Sequence, residues 1–367
     1  MLPYAPLAIH CFAGAGGLSL GLQKAGFVVG AAFDCNGPAV RTYARNLGAH
    51  IIQARVQELK GADLLAIAGR RECEIVVGGP PCQGFSRQRR GEDRDERNDL
   101  VFEFLRIVIE IRPELFLMEN VAGIYGKRGN GVLPRMLSEA HAAGYHVSTT
   151  VLNAADFGVP QHRRRAFIVG ERGDRPPCFG FPSPTHNSES WIPVRAAIGD
   201  LPDPSGTTRL ANHEPDQMSE LNRKRLSHVP PGGGRADIPE HLRLPCHAVD
   251  VETAGHRGVY GRLWWDRPAG TITTKCNSFT RGRFGHPEAN RNITMREAAR
   301  LQSFPDDFVF LGGRVDVAHQ IGNAVPPLLG EHLGRALLEA LSVRATGIIP
   351  ARLLSRAIQL DFFSHCV

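Results

Sequence analysis

The side chain with the clearest capacity for covalent chemistry is Cys82, in the run Gly78-Gly79-Pro80-Pro81-Cys82-Gln83-Gly84-Phe85-Ser86. Two prolines fix φ in front of the thiol and remove two backbone donors, which excludes a helix interior or a central strand. The thiol is then either a nucleophile shown at the end of the apolar run before it, or a buried cysteine packing as a small hydrophobe. Glu119, in Glu119-Asn120-Val121, ends a second apolar run, Leu115–Met118. A carboxylate there is either a helix-capping group or an acid facing a cleft. Gln161-His162-Arg163-Arg164-Arg165 adds clustered arginines, which mark a solvated, phosphate-binding or acid-pairing surface. In an extended segment Arg163 and Arg165 share one face, opposite Arg164, so two arginines could point into a cleft together.

A glycine turn, Phe12-Ala13-Gly14-Ala15-Gly16-Gly17-Leu18, lies where a first strand gives way to a first helix. Open α/β sheets bind cofactors at that point, and glycines let the backbone approach a ligand. The same turn would also serve tight packing alone. Position 19 is Ser and no Gly-Lys-Ser/Thr follows, so neither a dinucleotide fingerprint nor a mononucleotide phosphate cradle is present. Asp34, after the second strand, is placed to accept hydrogen bonds from both hydroxyls of a ribose. Together these suit a nucleoside cofactor without phosphates, such as S-adenosylmethionine.

The elements that must carry these residues alternate up to about Gly170. Candidate strands are Ala8–Phe12, Val28–Phe33, Glu74–Gly78, Leu115–Met118, Val147–Leu152 and Ala166–Val169, and candidate helices Leu18–Ala25, Pro38–Asn46, Leu100–Ile111 and Leu133–Ala143. Leu100, Phe104, Leu105, Val108 and Ile111 form one apolar stripe. The pattern predicts an α/β fold, a mostly parallel sheet with helices on both faces. From Asp174 to Pro268 the composition turns to Pro, Gly, His and Arg with little periodicity, as in Pro230-Pro231-Gly232-Gly233-Gly234. Helical patterns resume at Thr294–Gln302 and Leu328–Leu341. The expected organisation is a first domain at 1–173, a loop-rich insertion at 174–268, a return to the first domain at 269–343 and an unassigned tail at 344–367.

Composition bounds the partners. Forty-three Lys and Arg against 37 Asp and Glu give a net charge of +6, which permits a polyanionic partner without requiring one. No stretch approaches the ~20 apolar residues needed to cross a bilayer, and no signal peptide is expected. The eight cysteines are scattered without a Cys-x-x-Cys pair, so no metal site or disulfide framework is expected and a reducing cytoplasm fits.

In this order the motifs resemble those of the C5-cytosine DNA methyltransferase family: Phe12–Gly17, Pro80-Pro81-Cys82-Gln83, Glu119-Asn120-Val121, Gln161–Arg165, Arg296-Glu297-Ala298-Ala299-Arg300-Leu301-Gln302-Ser303-Phe304-Pro305 and Gly322-Asn323-Ala324-Val325-Pro326-Pro327. The resemblance covers nearly the whole chain except the insertion and the tail. It implies the Rossmann-like methyltransferase fold and S-adenosylmethionine held by Phe12, Gly14, Gly16, Gly17, Leu18, Asp34, Pro80, Asn323 and Val325. It assigns Cys82 as the nucleophile that adds to cytosine C6, and Glu119 as the acid bound to N3 and the exocyclic amine. Arg165, with Arg163 nearby, would hold the base and its phosphate. The substrate implied is double-stranded DNA with the target base flipped out of the stack. Ser86, Arg87, Gln161, Thr271 and Thr273 would touch that DNA.

By the same resemblance, the run Arg87–Arg97, five arginines among four acids, is either a loop closing over the flipped base or a merely solvated one. The insertion falls where the family places target recognition, and Pro204–Asn290 holds 12 Lys/Arg against 9 Asp/Glu. Thr271-Ile272-Thr273-Thr274 resembles the segment returning the chain to the core, and Trp264 and Trp265 before it are read as packing residues rather than base-stacking ones. A monomer on DNA, a nucleoid-associated place in the cytoplasm and a companion restriction endonuclease complete the expectation.

Two positions depart from the family pattern. His10 stands where an acid is usual, and Arg55, in Gln53-Ala54-Arg55-Val56, where an Asp usually meets the cofactor adenine. Losing one hydrogen bond to a charged partner costs roughly 1.5 to 3 kcal/mol, about ten- to a hundredfold in affinity. Two alternatives follow: the same chemistry on RNA, although the Cys-Phe-Thr motif of the family's tRNA-modifying branch is absent, or a nucleic-acid-binding homologue that no longer turns over.

Overall fold

The computed structural model describes residues 4–81, 99–126, 131–207, 209–215, 217–245 and 258–348. Seven strands, β1 (Leu7–Cys11), β2 (Val28–Asp34), β3 (Ile51–Gln53), β4 (Ile75–Gly78), β5 (Leu115–Val121), β6 (Tyr145–Asn153) and β7 (Arg164–Arg172), form one sheet in the order β3-β2-β1-β4-β5-β7-β6. The first five run parallel, and β7 inserts antiparallel between β5 and β6. This is the mixed, mostly parallel α/β sheet expected.

Alternation along the strands separates two cores. Leu7, Ile9, Val76, Phe116, Met118 and Ile168 face one side, under α4 (Asp99–Ile111) and α5 (Val132–Ala142). Ala8, Val77, Leu115, Leu117, Phe167 and Val169 face the other, under α1 (Gly17–Ala25) and the last helix, Pro327–Thr346. That last helix lies almost on α1: a Cβ at Gly21 would fall 2.5 Å from the Pro327 carbonyl oxygen, so only glycine permits the approach. It also runs past the start of the unassigned tail, and its Arg344 Nε donates to Glu114 Oε2 at 2.6 Å.

Several shorter elements complete the fold. They are β3, α2 (Gly37–Leu47) in its full extent, α3 (Gly61–Ile67), and the helices α6 (Val194–Ile198), α7 (Glu220–Ser227), α8 (Met295–Leu301) and α9 (Arg314–Asn323), which precede the last helix, α10. Of these, α2 and α8 coincide with expected helices, while β3, α3, α6, α7 and α9 are additions to the expected set. α3 packs on α4 through Gly61, where a Cβ would meet Ile111 at 2.8 Å.

The loop-rich part has its own small cluster, Leu226, Val229, Ile238, Leu242 and Phe279. Its two-stranded sheet pairs β8 (Gly261–Arg262) with β9 (Arg283–Gly285), so this unit draws on residues from both sides of the boundary expected at 268/269. Its central fastener is the buried Arg262, whose guanidinium donates to the carbonyls of Val229, His286, Ala289 and Leu226 and to Asn290 Oδ1, at 2.6–2.8 Å. All five acceptors are neutral. The fork serves here as a hub for loop carbonyls that no strand partner satisfies.

Candidate active site

The glycine turn leaves β1 through Phe12 at φ +57° and continues through Gly14 at +55° and Gly16 at +97°. A non-glycine residue in the left-handed region is uncommon and concentrates at functional sites. A Cβ at Gly14 would meet nothing within 4 Å, so the turn faces open space. Behind it the packing is tight: a Cβ at Gly17 would fall 2.3 Å from the Val325 carbonyl oxygen. Val325 thereby supports the turn, while Asn323, the last residue of α9, is exposed. Leu18 is buried in the core beneath.

Asp34, the last residue of β2, receives the Gly14 N–H on one carboxylate oxygen and the Asn36 N–H on the other, each at 2.8 Å. Burial pushes its carboxyl up, against the pull of these amides. Each oxygen keeps a lone pair for a further donor. Open space in front of Gly14 and a fixed acceptor beside it fit the ribose of a nucleoside cofactor. Arg55 is exposed just past β3, with its N–H donated to Glu58 at 3.1 Å.

At the carboxyl end of β4, Pro80 is buried and its carbonyl accepts from Asn120 Nδ2 at 3.3 Å. Pro81, exposed, is the last described residue before Cys82. Cys82, Ser86 and Arg87 lie outside the described residues. The segment nevertheless leaves beside the acid: a Cβ on Gly79 would stand 3.2 Å from Glu119 Oε2.

Glu119 and Arg165 pair because of register. Glu119 lies opposite Phe167 and Val121 opposite Arg165, so the two charged residues are diagonal neighbours on one face of the sheet. Arg165 Nε stands 3.0 Å from Glu119 Oε1, with both side chains largely buried. Burial pushes the Glu119 carboxyl up, although Arg165 and Arg163 pull it down.

With this geometry in view, the family profile of the C-5 cytosine-specific DNA methylases matches residues 8–339. The chain belongs to that family. It is 36% identical over 350 residues to the type II methylase M.HgiDII of Herpetosiphon aurantiacus, covering 92% of this chain and 97% of that protein. With the type II methyltransferase M1.HphI of Haemophilus parahaemolyticus it shares 37% over 337 residues, 90% of this chain and 86% of the other. A prophage-encoded protein of E. coli superposes with a TM-score of 0.73 at 24% identity, over 92% of this chain and all of that one. The Entamoeba histolytica methyltransferase EhMeth gives 0.65 at 15%, over 92% and 99%. Both structures share the fold.

Two of the expected site residues of this methylase are buried. Gln161 is fully buried: its Nε2 donates to the Leu301 carbonyl at 2.9 Å and to Gln302 Oε1 at 2.7 Å, and its Oε1 accepts from Ile272 N at 3.0 Å. Nothing remains for DNA, and the residue ties the return segment to α8. Arg163 is likewise inside, 1% exposed, giving Nη1 to the Ile272 carbonyl at 3.1 Å and Nη2 to the Gly322 carbonyl at 2.9 Å. Its Nε has no partner among the described residues. Arg163 thus cross-braces the site, and only Arg165 reaches Glu119 directly. Arg164 is exposed between them, as alternation requires.

Thr271 and Thr273 are half-buried, the first donating its hydroxyl to the His162 carbonyl at 2.7 Å, the second accepting from Lys275 N at 3.3 Å. Trp264 packs on the Gly232 turn, where a Cβ would collide with its ring, and carries the Arg283 guanidinium 4.2 Å above its face. Asn120 belongs to its motif without an expected role of its own. Its contact with Pro80 joins two motifs 40 residues apart, which spacing alone does not reveal.

Proposed function

We propose that this methylase transfers a methyl group from S-adenosylmethionine to carbon 5 of a flipped-out cytosine through a covalent bond from Cys82 to C6. The observation that carries the reading is Glu119, held by Arg165 at 3.0 Å on the sheet edge where Pro80-Pro81 leads into Cys82. When bound against the turn and Asp34, S-adenosylmethionine supplies an electrophilic methyl on a sulfonium. Cytosine C5 is too poor a nucleophile to take it unaided. The Cys82 thiolate forms a bond to C6, and the C5–C6 π pair moves to C5, which then bonds the methyl carbon as the methyl–sulfur bond breaks and its electron pair returns to the departing thioether. Afterwards the C5 proton leaves to a base, the C6–sulfur bond breaks and N3 returns its proton to Glu119, restoring the aromatic ring and the thiolate.

Glu119 serves at N3. Its raised pKa keeps a proton accessible, so it can protonate N3 as C6 is attacked and read the neighbouring amine at the same time. Arg165 orients that carboxyl and offers its remaining N–H donors to the base or its phosphate. The loop-rich unit, with the expected 174–268 insertion at its centre, reads the target sequence on double-stranded DNA, with Ser86, Arg87, Thr271 and Thr273 among the contacts. A monomer acting on DNA beside a companion restriction endonuclease, in the nucleoid, is consistent with the type II relatives. Among the described residues no helix is long and apolar enough to cross a membrane.

The test is incubation with tritiated S-adenosylmethionine and either duplex DNA or tRNA, beside a Cys82→Ala control. Label in duplex DNA that disappears in the variant is expected. Label that survives Cys82→Ala removes the covalent mechanism, label confined to tRNA moves the substrate to RNA, and no label at all leaves a binding protein.

A further inference from the structure

His10, where the family carries an acid, lies within the central strand β1 and is only 3% exposed. Its Nδ1 lies 2.6 Å from Ser19 Oγ, in the first turn of α1. Ser19 Oγ also receives the Tyr43 hydroxyl of α2, at 3.0 Å. The Tyr43 oxygen in turn lies 3.0 Å from Nε2 of His50, just before β3, and the two rings meet edge to face at 5.4 Å. Ser19 is wholly buried and Tyr43 equally so, while His50 is half-exposed.

One assignment of protons runs through all four groups. Tyr43 donates to Ser19, Ser19 gives its own proton to His10 Nδ1, and the Tyr43 oxygen accepts from His50 Nε2. Taken in that direction, the chain has His10 neutral, with Nδ1 an acceptor and its proton on Nε2. Burial agrees, holding the ring down to about 3. A histidine thus occupies a dry position in the central strand without a buried charge.

We propose that His10, Ser19, Tyr43 and His50 form one directional hydrogen-bond chain that positions the glycine turn for S-adenosylmethionine. The chain reaches the turn through the Tyr43 ring: a Cβ at Gly16 would fall 2.8 Å from Tyr43 Cδ2. It ties together β1, α1, α2 and the entry to β3, the segments that frame the turn and Asp34. These are positioning residues, none of them touching the reacting atoms. The proposal rests on the cofactor reading above.

Tyr43→Phe is the sharpest test, because it keeps the ring against Gly16 and removes only the hydroxyl. Leaving Ser19 without its donor is expected to weaken binding of S-adenosylmethionine to the DNA-free protein about five- to twentyfold by calorimetry, with kcat at saturating cofactor changed less than about twofold. Ser19→Ala breaks the same chain, so the double variant should lose no more than the worse single. Imidazole 15N shifts should show His10 with a bare Nδ1, a signature independent of catalysis and of either variant's folding. Wild-type affinity in Tyr43→Phe, additive losses, or a protonated Nδ1 overturns the chain. Wild-type protein that fails to bind S-adenosylmethionine overturns the cofactor reading and this proposal with it.

Discussion

Arg165→Met would remove the only direct cationic partner of Glu119 among the described residues while keeping most of the aliphatic packing. The two side chains are 16% and 11% exposed, so the pair is largely sheltered from solvent. Deleting one member of a buried pair leaves the other uncompensated, typically at a cost of about 3–5 kcal/mol. Glu119 has an escape, since its carboxyl already sits above the usual range because of burial. Without Arg165 it moves further up and takes a proton. A carboxyl with a folded pKa above its unfolded value contributes stability at low pH and loses it as pH rises through that interval. The loss is therefore expected to be small near pH 5 and to approach about 3 kcal/mol near pH 8, with a slope no steeper than about 1.4 kcal/mol per pH unit.

Urea unfolding of wild type and Arg165→Met at several pH values reads this directly, and the same pair in a Glu119→Gln background completes the cycle. In that background the pH dependence should vanish and most of the loss with it, because a neutral amide needs no countercharge. A loss that is flat with pH, or equally large in the Glu119→Gln background, would show that Arg165 stabilises by packing and that the acid does not depend on it.

Three further outcomes follow from the structure. His10 and His286 are held neutral, at about 3 and about 4, by burial, so the unfolded chain takes up protons that the folded chain refuses, and each ring should contribute a loss of about 2 kcal/mol to the unfolding free energy in urea as pH falls from 7.5 to 5, a share that disappears when that ring is substituted. Gly17→Ala drives a methyl to 2.3 Å from the Val325 carbonyl oxygen, so the turn must shift, and calorimetric affinity for S-adenosylmethionine should fall at least about tenfold with the fold retained. Arg262→Met removes five hydrogen bonds from the loop-rich unit, and although the Leu226 and Ala289 carbonyls keep the Val229 and Arg291 N–H groups, each acceptor left unpaired costs about 1 kcal/mol or more, so limited proteolysis should cut that unit and DNA binding should fail while cofactor binding persists.

What the sequence made readable was the carboxyl end of the sheet. Glycine and proline interrupt apolar strands there, and at Gly14–Gly17 and Gly79–Pro81 each interruption follows the end of a strand, whereas the charged Glu119 and Arg165 proved to be strand residues themselves, in β5 and β7. Depth was not readable. Alternation puts Arg163 and Arg165 on a common face, but whether an arginine meets a cleft or a carbonyl cage depends on partners more than 100 residues away, Ile272 and Gly322 for Arg163. Gln161 misleads for the same reason, since a polar residue in a motif at the sheet edge looks accessible until Leu301 and Gln302 close over it. β3 and α3, of three and seven residues, are too short to express a period, and their positions come from packing against β2 and α4.

The burial that hid these residues also divides the site. Arg163 and Gln161 bind the return segment, α8 and α9 to the sheet through neutral carbonyls and amides, and Arg163 also feels the charges of Glu119 and Arg165, so that half of the site rests on one buried, electrostatically coupled group. The cofactor-facing half rests instead on Gly14 bonded to Asp34 and on the His10, Ser19 and Tyr43 contacts. His10, one of the two departures from the expected pattern, falls in this second half. Substitutions there should shift affinity for the cofactor and leave the chemistry at Glu119 and Arg165 unchanged, which is why a split between binding and turnover separates the two halves.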